Sequence, residues 1–232
     1  MGQDSILQAD FQSVFFAKVV RRELYLKLML TFEQFLHDAA GKGGAVNLMF
    51  EERLFGLVEI LHRVADMFMA EHVPYELIGG MAVAAQMEQV DRDAVMLTRD
   101  VDVMIHRSDL ERVKESAARH GFHFRHTAGL DMLLYGEEKK AVKGVHLVFS
   151  GECVKANQAP NPPIAPERIT LYGKEVSVVP VVDLVRMKLN AFRDKDRVHV
   201  RAMDEIGLIT PEVEGKLSAE LRSRLGHVRE TE

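Results

Sequence analysis

The sequence predicts an α+β (α/β) fold in which a small mixed β-sheet is flanked by N-terminal helices and followed by a helical C-terminal region. Residues 75–82, YELIGGMA, have the pattern of a short strand, a tight glycine turn and the start of a helix. Residues 98–105, TRDVDVMI, have the alternating pattern of an extended segment. Because further short extended and helical segments follow, we predict a helical extension and linker over 1–48, a mixed core over 49–180 and C-terminal helices over 181–232.

The N-terminal region is predicted to be one helix followed by a flexible linker. Apolar residues recur there mostly at three- and four-residue steps, and the glycine-rich run 39–45 then ends the pattern. Three interpretations remain open: the helix packs on the main domain, it mediates self-association or binds a partner, or the natural chain starts at Met49.

Periodicity and turn residues define the elements of the core. A helix is predicted over about 51–71, and Pro74 marks its end. Ser108 and Glu111 have capping-box spacing and are expected to start a helix that ends near Gly121. The predicted extended segments are 122–126, 132–135 and 142–149, with a hairpin turn over 136–140.

The C-terminal part begins with a segment that is expected to lack regular structure. Residues 157–166 hold four prolines, which remove backbone donors and fix φ. Two short strands follow, over 169–171 and 176–178. The remainder is predicted to be helical, over about 182–192, 198–206 and 211–225.

Composition narrows the class of protein. The 232 residues are 47% hydrophobic, enough to form a full core, and the net charge of −5 does not indicate general nucleic-acid binding. The single cysteine, Cys153, excludes an internal disulfide. The N-terminus does not resemble a secretory signal, and no apolar run reaches the roughly 18 residues that a bilayer span needs. We therefore expect a cytoplasmic protein without a membrane partner.

Two acids and two glycines form the main candidate site. Residues two apart on a strand share a face, so Asp100 and Asp102 are expected to direct their carboxylates into one volume, and a divalent ion is the usual counter-charge for such a pair. Gly79 and Gly80 allow the backbone amides of a helix start to approach a phosphate. Thr98 is expected to bind a phosphate or fix a carboxylate. This combination predicts phosphoryl or nucleotidyl transfer; the alternative is an edge strand with solvated acids.

The same residues resemble the nucleotidyltransferase superfamily, whose core is like that of DNA polymerase beta. The resemblance rests on strand–Gly79–Gly80–helix followed by Thr98-x-Asp100-x-Asp102. The run MKLNAFRDKD at 187–196 is similar to the Lys-Leu…Arg-x-Lys-Asp signature of the AbiEii-type branch, which comprises nucleotidyltransferase-like toxins of toxin–antitoxin systems and their relatives. The resemblance covers about residues 50–210.

This resemblance implies transfer of a nucleoside monophosphate from a nucleoside triphosphate (NTP) to a hydroxyl of RNA or protein. Asp100 and Asp102 would bind Mg²⁺, with Mn²⁺ as an alternative cation. Lys188 would reach the phosphates, and Lys195 would support the site. The resemblance further implies the toxin half of a two-gene system, with an antitoxin contacting the N-terminal helix.

One departure from the family pattern concerns the third acid, which the resemblance places on a following strand. The expected position holds His146, whose imidazole is a poor Mg²⁺ ligand. His146 is therefore expected to be the catalytic general base, to favour Mn²⁺ or Zn²⁺, or to be a structural residue in a nucleotide-binding or partner-binding module with reduced catalysis. Asp131 and Glu152 are alternative sources of the acid, and His199 is a further candidate for the same cleft.

Overall fold

The computed structural model describes residues 44–91, 96, 98, 100–136, 144–156, 158–171 and 173–230, with side chains described from residue 56. The predicted N-terminal helix, the first five residues of its linker and most of the predicted turn over 136–140 lie outside these ranges. Every site discussed below belongs to one compact unit, Arg53–Glu232.

In the described ranges, seven strands form one mixed sheet in the order β3-β4-β5-β2-β1-β7-β6. The sequence-based prediction of a mixed sheet is confirmed; the order of the strands was not predicted. The strands are β1 Tyr75–Ile78, β2 Val101–Ile105, β3 Phe122–Thr127, β4 Leu130–Tyr135, β5 Gly144–Phe149, β6 Glu167–Leu171 and β7 Lys174–Val178. The pairs β1–β7 and β2–β5 are parallel, and the other neighbours are antiparallel. All four residues of β1 are buried, as is typical of a central strand covered on both faces.

Seven α-helices accompany the sheet in the described ranges. They are α1 Gly44–Ala70, α2 Gly79–Glu88, α3 Leu110–Ala117, α4 Val181–Ala191, α5 Asp194–Glu205, α6 Pro211–Gly215 and α7 Ala219–Glu230. Helices α2, α4 and α5 pack together, and α7 packs on α4 and α5. None of the described helices has the length and apolar character of a membrane span.

Several sequence-based boundaries are wrong; the helix predicted from Val198, for example, begins at Asp194. The linker predicted to run to Ala45 is helical from Gly44, because α1 begins there. The helix predicted over 211–225 is broken into α6 and α7, since α6 ends at Gly215 and the Ser218 hydroxyl accepts a hydrogen bond from the backbone N–H of Leu221. That bond caps a new helix start.

The strand directions bring the glycine turn and the acids together. Because β1 and β2 are antiparallel, the end of β1 lies beside the start of β2, with Ile78 opposite Asp102. Because β2 and β5 are parallel and in register, Asp102 also lies opposite His146. In a sheet, residues that are opposite each other point to the same face. The fold therefore places three chain segments around one carboxylate.

Candidate functional site

A cavity of about 680 Å³ opens on this face of the sheet. Its floor is formed by residues at the ends of β1, β2 and β5. Its walls come from the proline-rich segment before β6, from α4 and from the first residues of α5 and α7. The residues predicted to form the site that line it are Gly79, Asp100, Asp102, His146, Lys188 and Lys195.

Asp100 and Asp102 face the same cavity, although only Asp102 belongs to the strand. β2 begins at Val101, so Asp100 lies immediately before the strand. The sequence-based prediction that one strand carries both acids is therefore wrong. Both acids are half-buried. Among the described residues, no lysine or arginine forms an ion pair with either carboxylate. Both carboxylates are therefore accessible to a ligand in the cavity, and Lys188 and Arg193 act on Asp102 only through their charges.

Gly79 is required where the glycine turn meets Asp102. It has a φ of +70°, and a Cβ built on it would lie 2.1 Å from Asp102 Oδ2. Only glycine avoids both the left-handed strain and this clash. The contact is close enough to bring the first backbone groups of α2, which starts at Gly79, next to the carboxylate.

Gly80 and Thr98 form a second layer behind the cavity surface. A Cβ on Gly80 would lie 2.5 Å from Thr98 Oγ1, so the absence of a side chain allows the two segments to touch. The Thr98 hydroxyl donates to the carbonyl oxygen of Asp100 at 3.3 Å and lies 3.5 Å from its backbone nitrogen. In this structure Thr98 braces the segment that carries Asp100.

His146 is bound directly to Asp102. Its Nδ1 lies 2.9 Å from Asp102 Oδ1, and each side chain is 27% exposed. This hydrogen bond raises the pKa of His146 above its usual value, and the charges of Asp102 and Asp100 add to the effect, while burial and the charge of Lys195 oppose it. The imidazole therefore carries a proton on Nδ1, which it donates to the carboxylate.

Asp131 and Glu152 do not supply the third acid. Asp131 is opposite Leu147, the neighbour of His146, so its side chain points to the other face of the sheet. Both carboxylates bind the guanidinium of Arg107, at 3.2 Å for Asp131 and 2.6 Å for Glu152. Within the described ranges, no group of three histidine, cysteine, aspartate or glutamate side chains has the arrangement of a metal site.

Lys188 is held in a buried polar cluster beside the cavity. Its Nζ donates to Asp196 Oδ1 at 3.0 Å and to His199 Nδ1 at 2.9 Å. Burial lowers the pKa of Lys188, although the charge of Asp196 opposes this shift. Burial, and then the charge of Lys188, lower the pKa of His199 to about 4, which leaves this imidazole neutral and able to accept at Nδ1.

Asp196 connects this cluster to the start of α5. Its Oδ2 accepts from Arg193 Nε at 2.6 Å and from the Arg193 backbone N–H at 3.4 Å, in a capping-box arrangement. Burial acts to raise the pKa of Asp196, but the Arg193 hydrogen bonds and the charge of Lys188 outweigh it and lower the pKa. Lys195, which directly precedes Asp196, is exposed and forms no ion pair with an acid among the described residues.

One buried group was missed by the sequence analysis. Glu76 on β1 is 0% exposed. Its Oε1 accepts from the Ala165 backbone N–H, and its Oε2 has no hydrogen-bond partner among the described residues. Burial and the nearby charges of Asp183 and Glu167 raise the pKa of Glu76 to about 7, against the effect of the Ala165 hydrogen bond. The available signal was a charged residue inside the otherwise apolar or aromatic strand YELI.

Comparison with known proteins shows the class of fold. No protein-family model and no curated protein matches this chain. The solution structure of the antibiotic-resistance factor ANT(2'')-Ia is similar, with a TM-score of 0.50 and 12% sequence identity. The match covers 74% of this chain and 90% of the ANT(2'')-Ia chain. The crystal structure of an antigenic nucleotidyltransferase-like protein from Paracoccidioides brasiliensis is also similar, with a TM-score of 0.50 and 16% sequence identity. That match covers 74% of this chain and 86% of the other chain.

The chain therefore shares its fold with these two proteins, a nucleotidyltransferase-like α+β fold. At this level of identity the likeness concerns the fold, and one fold hosts many functions. The AbiEii-type branch stays a prediction from the residues.

Proposed function

We propose that this protein is a metal-dependent nucleotidyltransferase that moves a nucleoside monophosphate from an NTP to a hydroxyl of RNA or protein. The observation that carries the proposal is the meeting of Asp100, Asp102 and the Gly79 bend in one cavity. Carboxylates and backbone amides at this spacing match the two needs of a metal–triphosphate complex, namely hard oxygen ligands and donors to phosphate.

The donor set fits Mg²⁺, with Mn²⁺ as the alternative. Mg²⁺ is commonly bound by one or two carboxylates together with substrate phosphates and water. Asp100 and Asp102 would supply the two carboxylates, and no lysine or arginine of the described ranges forms an ion pair with either of them. When bound, the ion neutralises charge on the phosphates during transfer.

The remaining residues would position the substrates. Gly79 and Gly80 leave the start of α2 open to the phosphates, and Thr98 braces the Asp100 segment. Lys188 and the exposed Lys195 place positive charge beside the cavity. In its neutral form, with Nδ1–H donated to Asp102, His146 would accept the proton of the acceptor hydroxyl at Nε2.

The direct test is transfer of label from NTPs carrying ³²P at the α-phosphate. The protein is incubated with Mg²⁺ and with bulk tRNA or protein as acceptors. We expect α-label but not γ-label to become acid-insoluble, and Asp102→Asn to abolish the transfer. Asp66→Asn is the matched control, because this exposed acid pairs with Lys174 away from the cavity. Label that appears equally with Asp102→Asn would refute the proposal.

A nucleotide-binding module with reduced catalysis is the second candidate. It is favoured by one observation, the imidazole of His146 at the strand position opposite Asp102. Such a module would be thermally stabilised by Mg²⁺–NTP without transferring label, and His146→Asp would then restore transfer.

We further propose that the protein is the toxin of a toxin–antitoxin pair. It rests on the resemblance of residues 187–196 to the AbiEii-type signature and predicts growth arrest on expression, relieved by an antitoxin. The antitoxin is expected to contact the N-terminal helix predicted from residues 1–48, a region that also offers a means of self-association. Expression of residues 49–232 alone would then retain toxicity but escape the antitoxin.

A further inference from the structure

The environment of Asp102 limits how many metal ions the cavity can hold. Two-metal sites place ions about 3.5–4 Å apart and need oxygen ligands that serve both. Asp102 is the central carboxylate here, since it lies opposite both β1 and β5. Its two oxygens therefore decide whether a second ion can be accommodated.

Both oxygens of Asp102 are already constrained by the protein. Oδ1 accepts the Nδ1–H of His146 at 2.9 Å. Oδ2 packs against Gly79, where an added Cβ would lie only 2.1 Å away. The carboxylate is thus fixed in orientation, and the direction towards β5 is filled by a hydrogen-bond donor instead of a cation.

No side chain of β5 near Asp102 offers an oxygen ligand to a cation. His146 occupies the position opposite Asp102, and its neighbours in sequence are the apolar residues Val145 and Leu147. Asp131 and Glu152, the alternative sources predicted for the third acid, are engaged by Arg107. The other acids that line the cavity are paired with cations: Asp183 with Arg186, Asp196 with Lys188 and Glu220 with Arg224. Imidazole is a poor ligand for Mg²⁺, and its Nδ1 already occupies the β5 side of Asp102 Oδ1, at 2.9 Å.

We propose that the cavity binds a single divalent cation, held by Asp100 and Asp102 with the NTP phosphates, and that the imidazole of His146 fills the place of a second cation. This inference rests on the proposed nucleotide site. It makes His146 the residue that sets the metal stoichiometry, through its hydrogen bond to Asp102.

The inference is tested by counting Mn²⁺ ions in the complex with an α,β-methylene NTP, each of the four bases in turn. Equilibrium dialysis gives the number of ions per bound nucleotide, and electron paramagnetic resonance detects coupling between neighbouring ions. We expect one uncoupled Mn²⁺ in the wild-type protein. His146→Asp, which adds a carboxylate opposite Asp102, is expected to bind two coupled ions.

His146→Asn is the matched control, because an amide can still donate to Asp102 but adds no charge; it is expected to keep one ion. Two coupled ions in the wild-type protein would overturn the inference while leaving the proposed function intact. No ion bound together with nucleotide in the wild-type protein would overturn the proposed function itself. If His146→Asp fails to fold, the wild-type count alone decides between one ion and two.

Discussion

Asp196 and Asp100 are identical side chains that line the same cavity in opposite environments. Asp196 is 1% exposed and is held by Lys188, Arg193 and a backbone N–H. Asp100 is half-buried, and no described cation pairs with it. The difference separates a carboxylate whose charge the fold itself neutralises from one whose charge is left for a ligand.

Glu76 is as buried as Asp196, but no lysine or arginine of the described ranges pairs with it. Its pKa is raised to about 7, whereas that of Asp196 is lowered. Burial is common to both groups, so the opposite shifts follow from their partners. Four changes are expected to affect the free energy of unfolding. In order of decreasing effect, they concern Asp196, Glu76, Gly79 and Asp100.

The largest effect is expected for Asp196→Asn. This change leaves Lys188 buried without its counter-charge, which typically costs about 3–5 kcal/mol. Urea denaturation monitored by circular dichroism measures it. Asp194→Asn is the matched control, since this acid on the same helix has a 95% exposed side chain and is expected to change stability by less than about 0.5 kcal/mol. Equal losses for the two variants would contradict the assignment.

A pH dependence from Glu76 is expected next. Its pKa is higher in the folded protein than in the unfolded chain, so the folded state binds more protons between pH 4.5 and about 7. Its contribution to stability is therefore full at low pH and is lost as pH rises through about 7, by roughly 3 kcal/mol.

Glu76→Gln is expected to remove this contribution and to be more stable than the wild-type protein at pH 8. Glu175→Gln, at an exposed site paired with Arg168, is expected to leave the pH profile unchanged. A wild-type profile identical to that of Glu76→Gln would show that Glu76 is ionised normally.

A smaller loss is expected for Gly79→Ala. Alanine at φ +70° costs about 1–2 kcal/mol, and its Cβ would displace the Asp102 carboxylate. Gly226→Ala is the control of opposite sign, because Gly226 lies within α7 with open space around it and gains helix propensity of about 1 kcal/mol. Thermal unfolding distinguishes them; equal tolerance at both sites would contradict the proposed close contact.

The smallest effect on stability is expected for Asp100→Asn. The carboxylate forms no ion pair with a described residue, so stability is predicted to change by less than about 0.5 kcal/mol. Mn²⁺ binding in the presence of nucleotide, measured by dialysis, is expected to weaken by at least about tenfold, as for other changes at metal sites. A loss of stability as large as that of Asp196→Asn would place Asp100 among the structural acids.

The sequence was sufficient for the elements that local pattern determines. The strand–glycine–helix run and the acid pair predicted β1, α2 and β2, and alternation predicted β3, β4 and β5. The position of His146 followed from the resemblance, and the structure places it opposite Asp102. The register of β5 against β2 determines this contact, because a shift of one residue would turn the imidazole to the other face of the sheet.

What local pattern could not supply was the pairing of distant charged groups. Lys188 was expected to reach the phosphates, but its bonds to Asp196 and His199 depend on how α4 and α5 pack. The burial of Glu76 depends on Ala165, 89 residues away. Such contacts come from tertiary packing, for which a single sequence gives no periodic signal.

The central claim is that Asp100, Asp102 and the Gly79 bend form a metal–nucleotide site. Its most direct test is a crystal structure with Mn²⁺ and an α,β-methylene NTP, with the metal located by anomalous scattering. We predict one Mn²⁺ peak about 2.1 Å from carboxylate oxygens of both aspartates, with the triphosphate against the start of α2. Nucleotide bound elsewhere, or a peak that contacts neither aspartate, would contradict the claim.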